Sequence, residues 1–389
     1  MFKRAQAIAD QIIAWRRRVH RHPELAFQEV ETARFVAQTL CDMGIAVKTG
    51  VGKTGVVGTL GSSSPVIALR ADMDALPLTE ATGLPFASQN PGAMHACGHD
   101  AHVACLLGAA KLLAETPPAR GQVRFLFQPA EETVDEEEQS GAMRIVTDGA
   151  MDGVDAVLGL HIFSIFPAGQ VFFSPGPQMA AAGLFEAHIH GQGGHGAMPH
   201  LSVDPIVLAA QVIMGLQTVV SRRLNPVNSG VVTVGTVHGG SKDNIIPESV
   251  ALTGTIRALD DRTYQQIKDE VRHVFETVRP LGGDFEIRFS ANYPVTANEP
   301  AFTEFVRGVA VDLFGPQAVQ PAEPMMGGED FSVLAQRAPG CFVRLGGAIA
   351  DDVLRNHHDP HFDIDEGALP MGVALLAEAA VRYLNQSRL

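Results

Sequence analysis

Val66-Ile-Ala-Leu-Arg-Ala-Asp72-Met-Asp74 is an aliphatic run that stops abruptly in acidic side chains. The pattern recurs twice. Val123–Phe127 runs into Gln128-Pro-Ala-Glu131-Glu132, and Val154–Leu160 runs into His161. Between the first two runs lies Val103–Glu115, apolar and rich in Ala and Leu, which reads as a buried helix. Short β-rich runs alternating with helices specify an α/β sheet. In such sheets ligands collect at the carboxyl ends of the strands, where these polar clusters fall. Working outward, Ile8, Ile12 and Ile13, then Phe35, Val36 and Leu40, recur at helical spacing, so residues 2–43 read as helix broken at Pro23.

The middle of the chain has another rhythm. Leu184–His190, Val231–His238, Ala251–Ala258 and Phe285–Phe289 read as strands, with helices at Asp204–Leu224 and Asp261–Arg279. The order β-α-β-β-α-β is ferredoxin-like. Afterwards the α/β pattern resumes with a helix at Ala301–Phe314, a strand at Cys341–Leu345 and a closing helix at Glu366–Leu384. The expected architecture is a discontinuous α/β domain, 1–178 and 294–389, carrying an inserted α+β domain at 179–293.

A chain of 389 residues, 46% hydrophobic, has enough apolar surface for two cores, which excludes disordered, coiled-coil and collagen-like classes. Its net charge of −14 argues against broad contact with nucleic acid or anionic lipid. No uninterrupted run of about 18 apolar residues predicts a membrane span. The amphipathic N-terminal segment has no apolar signal core, so the expected compartment is the cytosol. Four cysteines without a Cys-x-x-Cys pair make neither a disulfide framework nor a zinc ribbon.

Met94-His95-Ala-Cys97-Gly-His99-Asp100-Ala-His102 is the densest chemical signal. Thiolate and imidazole two residues apart suit a first-row divalent ion, and Glu131-Glu132, His161 and the cluster Asn356-His357-His358-Asp359-Pro-His361 add ligands for one or two metals. Adjacent carboxylates on an extended segment point in opposite directions, so one of Glu131 and Glu132 can bind metal while the other accepts a proton from water. The acidic run 135–138 reads as a solvated loop. His195, in Gly191-Gln-Gly-Gly-His-Gly, follows a strand in a turn too glycine-rich for core packing. With Asn244 and Arg257 it could hold a substrate carboxylate and a developing oxyanion.

The ordered set HRHPELAFQE, TGVVGTL, ALRADMDALPL, MHACGHDAH, FQPAEE, GLHIF, GGHGAMPH, NIIPE, GTIR, GGEDFS and HHDPHFDIDE, spread from about residue 20 to 370, resembles the metal-dependent aminoacylase, hippurate hydrolase and auxin-conjugate amidohydrolase family of metallopeptidases. The resemblance implies a zinc-peptidase-like catalytic domain with a lid that dimerises, and two divalent ions (Zn, Mn, Co or Ni) held by Cys97 as bridge, His99, Glu132, His161 and His358. It implies Glu131 as general base, His195 reaching the site of a partner subunit to polarise the scissile carbonyl, and Asn244 and Arg257 binding substrate. Asp72 and Asp100 are candidates for orienting ligand imidazoles or for capping strand ends. His95, His102 and His357 stand beside the candidate ligands as alternatives, and Glu329 either supports the site or starts a helix. His20 and His22 are expected to pack at a helix end and Cys105 in the core. The loop after the Glu pair, Thr133–Ser140, is longer and more acidic than the family's usual glycine-rich turn. The implied reaction is hydrolysis of an N-acyl amino acid in a homodimer. The competing readings are a dipeptidase, a thiol hydrolase using Cys97, and a binding protein without chemistry.

Overall fold

The computed structural model describes residues 1–385, which divide into two compact units. One comprises Met1–Gln178, Ala297–Glu323 and the chain from Asp330 onward; the other comprises Met179–Thr296 and Pro324–Glu329. The second unit therefore extends beyond residue 293 and takes in a later short segment.

The first unit is built on an eight-stranded mixed sheet in the spatial order Ala46–Val51, Gly55–Gly61, Gln122–Gln128, Val66–Asp72, Ala156–Pro167, Gly340–Ala348, Val171–Phe172, Val319–Gln320. Its centre is parallel: Val66–Asp72 lies between Gln122–Gln128 and Ala156–Pro167, and the latter pairs in parallel with Gly340–Ala348. Every residue of Val66–Asp72 is buried, as expected for a strand covered on both faces. The edge hairpin, Ala46–Val51 with Gly55–Gly61, was not anticipated, because its outer strand is mostly exposed and lacks an apolar face. The strand carrying His161 continues to Pro167 rather than ending before it, since its far half pairs with Gly340–Ala348.

Helix His99–Glu115 is buried without interruption from His99 to Ala110. Neighbours surround it: helices Ala9–Arg21 and Leu369–Asn385 and strand Val66–Asp72. This is why its sequence shows no polar stripe. Pro205–Arg223 and Glu366–Asn385 are long and apolar enough to cross a membrane by length and composition. The second is largely buried in the core of the first unit, and the first packs on the sheet of the second unit.

Arg16, fully buried on helix Ala9–Arg21, ties distant segments of the first unit together. Its guanidinium donates to Asp100 at 2.9 Å, Glu366 at 3.0 Å and Asp363 at 3.4 Å. Breaking a buried ion pair strands the remaining charges, so Arg16→Leu is expected to destabilise the protein by about 3–5 kcal/mol. A fall in urea midpoint measures the effect; an unchanged midpoint contradicts it.

The second unit has a four-stranded antiparallel sheet in the order Gly230–Gly239, Ser249–Ala258, Ala181–His190, Asp284–Tyr293. Helices Pro205–Thr218 and Asp261–Glu276 complete the ferredoxin-like order. From residue 184 to 189 the strand Ala181–His190 alternates: Phe185, Ala187 and Ile189 are buried, while Leu184, Glu186 and His188 face outward. Asp204 and Asp260 cap the two helices through the N–H groups of Ile206 and Thr263.

Candidate metal centre

The carboxyl ends of the parallel strands bring Cys97, His99, Glu132, His161 and His358 together in the first unit. Ligand atoms of Cys97, His99 and His161 lie within 4.8 Å of one another, as do those of Cys97, Glu132 and His358, and those of His99, Glu131 and Glu132. Gly98 makes the first grouping possible. At φ +91° it turns the chain between Cys97 and His99, and a Cβ there would fall 2.5 Å from Ile162 Cγ2.

Asp74 organises the acidic side of the cluster. Its Oδ1 accepts from the Glu131 N–H and its Oδ2 from the Glu132 N–H, both at 3.0 Å. His99 Nδ1 lies 2.9 Å from the Asp74 carbonyl and 3.2 Å from Asp74 Oδ1, so Nδ1 is the protonated nitrogen and Nε2 is turned toward Glu132. Burial opposes charge on His99, yet the carboxylates of Asp72, Asp74 and Glu132 outweigh it and raise its pKa to about 10. Sequence reasoning missed Asp74 although it stands two residues from Asp72 on the same strand end; that i, i+2 spacing was the available signal.

Two further imidazoles have tautomers fixed by their partners. His161 Nδ1 donates to the Ile162 carbonyl at 2.8 Å, which leaves Nε2 facing Cys97 Sγ at 3.4 Å. His102 donates from Nδ1 to Asp72 Oδ1, 2.5 Å away, and accepts the Ile162 N–H on Nε2 at 2.8 Å. Both His102 nitrogens are thus committed, and its geometry is that of a support for the strand carrying His161. Arg70 continues the chain of contacts, donating to Asp72 at 2.6 Å, Gln128 at 2.9 Å and Asp330 at 3.0 Å.

His357 and His358 divide their work. His357 accepts the Ser164 N–H on Nε2 and turns Nδ1 to Cys97 Sγ at 3.6 Å; burial and neighbouring imidazoles lower its pKa to about 3. His358, at φ +63°, places Nε2 3.1 Å from Glu132 Oε1. Its own N–H bonds the Ala96 carbonyl at 2.9 Å, anchoring this segment beside Cys97. His95 is buried, and neither ring nitrogen has a hydrogen-bond partner among the described residues.

These residues fit divalent ions. Four carboxylates, from Asp72, Asp74, Glu131 and Glu132, converge in the buried region where His99 Nε2 has no hydrogen-bond partner among the described residues. A cation balances that charge and satisfies this nitrogen. The same environment disfavours a thiol nucleophile: burial, then Glu132, Glu131 and Asp72, hold the Cys97 thiol well above its usual range. Catalytic cysteines occupy electropositive surroundings instead.

Several expectations fall differently. Asp100 touches no ligand imidazole; it pairs with Arg16 and, at 2.8 Å, with His20 Nδ1. His20 is buried in the last turn of helix Ala9–Arg21, as expected, and it is charged there. Burial opposes its charge, but Asp100 and Glu80 raise its pKa to about 9. The acidic loop is not uniformly solvated: Asp135 is buried between Lys53 at 2.6 Å and Arg144 at 2.5 Å. Glu136 and Glu137 stay exposed.

His195, Asn244 and Arg257 lie in the second unit. A two-residue antiparallel ladder joins Gly194–His195 to Ile245–Ile246, and Gly196 N–H bonds the Asn244 carbonyl at 2.9 Å, so His195 and Asn244 are neighbours. His195 Nδ1 accepts the Ala197 N–H at 3.0 Å, which leaves Nε2 as the proton-bearing donor. The guanidinium of Arg257, on strand Ser249–Ala258, makes no hydrogen bond among the described residues, and burial lowers its pKa. Gly328 covers it closely, since a Cβ there would lie 3.1 Å from the guanidinium.

Comparison with known proteins places this geometry in context. The model of peptidase family M20/M25/M40 matches residues 68–382. The chain is 41% identical to the N-acetyl-L-cysteine deacetylase of Bacillus subtilis, over 98% of this chain and 90% of that protein. It is also 41% identical to IAA-amino acid hydrolase ILR1-like 4 of Arabidopsis thaliana, over 96% and 86% of the two chains. Among solved structures it superposes on the Bacillus subtilis YXEP protein, described as a dinuclear metal binding peptidase. The TM-score is 0.83 at 35% identity, covering 97% of this chain and 99% of that one.

Proposed function

The chain belongs to peptidase family M20/M25/M40, and from that premise we propose how its own residues divide the work of the reaction. It is a metal-dependent amidohydrolase that acts on acyl amino acids. In our reading Cys97, His99, Glu132, His161 and His358 would hold two divalent ions. Bound divalent ions supply Lewis acidity and lower the pKa of water from 15.7 to about 7. Glu131 takes the proton of the attacking water and delivers it to the departing amine. His195 donates from Nε2 to the carbonyl oxygen as negative charge develops, with Asn244 beside it. Arg257, half-buried and with a guanidinium that makes no hydrogen bond among the described residues, binds the carboxylate of the amino acid.

One observation carries the reading. Glu131 is 7% exposed, and its carboxylate lies within 4.8 Å of the ligand atoms of His99 and Glu132, on a backbone fixed by Asp74. The carboxylate therefore stands beside the candidate ligands, where it can act as a proton acceptor. We propose Zn or Mn as the ions, since mixed thiolate, imidazole and carboxylate ligation suits both, and a cytoplasmic location. We also propose a homodimer in which each lid contributes His195 to the other subunit's site. Strand Gly230–Gly239, at the sheet edge and largely exposed, supports pairing with a second copy, as do exposed Ile206, Val207 and Met214 on the adjoining helix.

Release of free amino acid from N-acetyl and N-benzoyl amino acids and dipeptides tests the function. The expected result is activity on the acyl amino acids that disappears on dialysis against chelator and returns with Mn²⁺ or Zn²⁺. Chelator-resistant activity lost on alkylation transfers the chemistry to Cys97. Preference for dipeptides makes the enzyme an exopeptidase on the same site.

A further inference from the structure

The segment His20–Glu29 ends in a carboxylate that the reaction as described does not use. Glu29 is fully buried, and although it stands at the N-cap position of helix Val30–Asp42 its side chain makes no capping hydrogen bond. The first free N–H groups of helix Val30–Asp42, those of Glu31 and Thr32, are taken by Glu24 at 3.0 and 2.8 Å. Glu29 reaches the Glu pair instead. Its Oε1 accepts the Ala130 N–H at 2.8 Å, and its Oε2 accepts from the hydroxyl of Thr54, at the tip of the edge hairpin.

We infer that Glu29 is a positioning residue for Glu131, acting through the Ala130 peptide; the inference rests on the reading of Glu131 as general base. Ala130 sits at φ +43°, where an L-residue stays only if its surroundings hold it. Three successive backbone N–H groups, of Ala130, Glu131 and Glu132, end on two buried carboxylates, Glu29 for the first and Asp74 for the other two. The Ala130 carbonyl accepts from Gly141 N–H at 2.9 Å, which closes the loop behind the pair. The hairpin meets this loop directly, since a Cβ on Gly55 would lie 2.9 Å from Pro129 Cδ. Burial and the charge of Asp74 raise the Glu29 carboxyl to about 7. A side chain serving only to fill space would be better apolar, so the bond to Ala130 is the feature its chemistry explains.

Glu29→Met keeps length and volume while removing the acceptor. It is expected to lower kcat by about 10–10²-fold, the cost of a misplaced catalytic group, with KM and bound metal within about twofold of wild type. Glu29→Gln still accepts from Ala130 through its amide oxygen, while the Thr54 hydroxyl rotates to accept from its NH₂. It is expected to recover turnover to within about threefold of wild type. In a Glu131→Gln background Glu29→Met should cost nothing further, because the two act as one unit. Near-native kcat for Glu29→Met, loss of metal as its cause, or full additivity with Glu131→Gln each overturns the inference. Should Glu29→Met fail to fold, Thr54→Val, which releases only one oxygen, is expected to lower kcat about threefold at unchanged KM; wild-type kcat there overturns it as well. A Glu131→Gln enzyme with near-native turnover is a different pattern, and it removes the base assignment itself.

Discussion

Glu131→Gln lowers kcat by about 10²–10⁴-fold while the chain keeps its two bound metal ions. The amide has the same shape and still lets Asp74 receive the backbone N–H of residue 131, so the peptide stays in place. What it cannot do is accept a proton from water and return it to a leaving amine. Glu132 does not substitute, because its carboxylate is already engaged, 3.1 Å from His358 Nε2 and 3.9 Å from His99 Nε2. Steady-state kinetics with metal analysis on one preparation checks the result. Turnover within tenfold of wild type would falsify the assignment of Glu131 as base.

Asp74→Asn is the second large effect, and it acts by a different route. Asp74 accepts three times: from the Glu131 and Glu132 N–H groups and from His99 Nδ1. An asparagine replaces one of those acceptor oxygens with an NH₂ that opposes a backbone donor. The tautomer of His99 and the aim of the Glu pair are then both unsettled. Partners that orient ligand imidazoles are worth about 10–10²-fold in metal affinity, so competition against a chromophoric chelator is expected to show weakening of that size. Turnover should fall even when excess metal restores occupancy, since the Glu131 backbone has lost its anchor. Native affinity together with native turnover would reduce Asp74 to a strand-end cap. The two variants are therefore distinguishable: Glu131→Gln spares metal binding and Asp74→Asn does not.

Much of the centre was legible because its ligand types are rare and fall at the ends of apolar runs. Cys97 and His99 straddle a glycine, Glu131 and Glu132 are adjacent, and His161 and His358 each sit in a short distinctive string. The supports were harder to see. Asp74, Arg70 and Glu29 are ordinary charged residues in sequence, and their roles appear only when separate strand ends and the hairpin tip meet. Asp100 shows the converse error: next to a ligand in sequence, its side chain faces helix Ala9–Arg21 and binds Arg16 and His20. Sequence adjacency to a ligand says nothing about direction, because on a helix successive side chains point about 100° apart. Asp135, inside a run of four acids, was hidden for a similar reason: Lys53 and Arg144 come from distant segments to neutralise it.

By itself, the sequence determined the alternation of strand and helix, the inserted ferredoxin-like order, the ligand types and hence the class of chemistry, since these depend on local periodicity and residue type. The tertiary structure alone decided which imidazole nitrogens are committed to hydrogen bonds, which backbone N–H groups the buried carboxylates hold, and which charges are buried in pairs. Those outcomes depend on hydrogen-bond partners and burial set by residues up to hundreds of positions apart. Arg16 and Glu366 meet across 350 positions, and no local pattern in the chain records that contact.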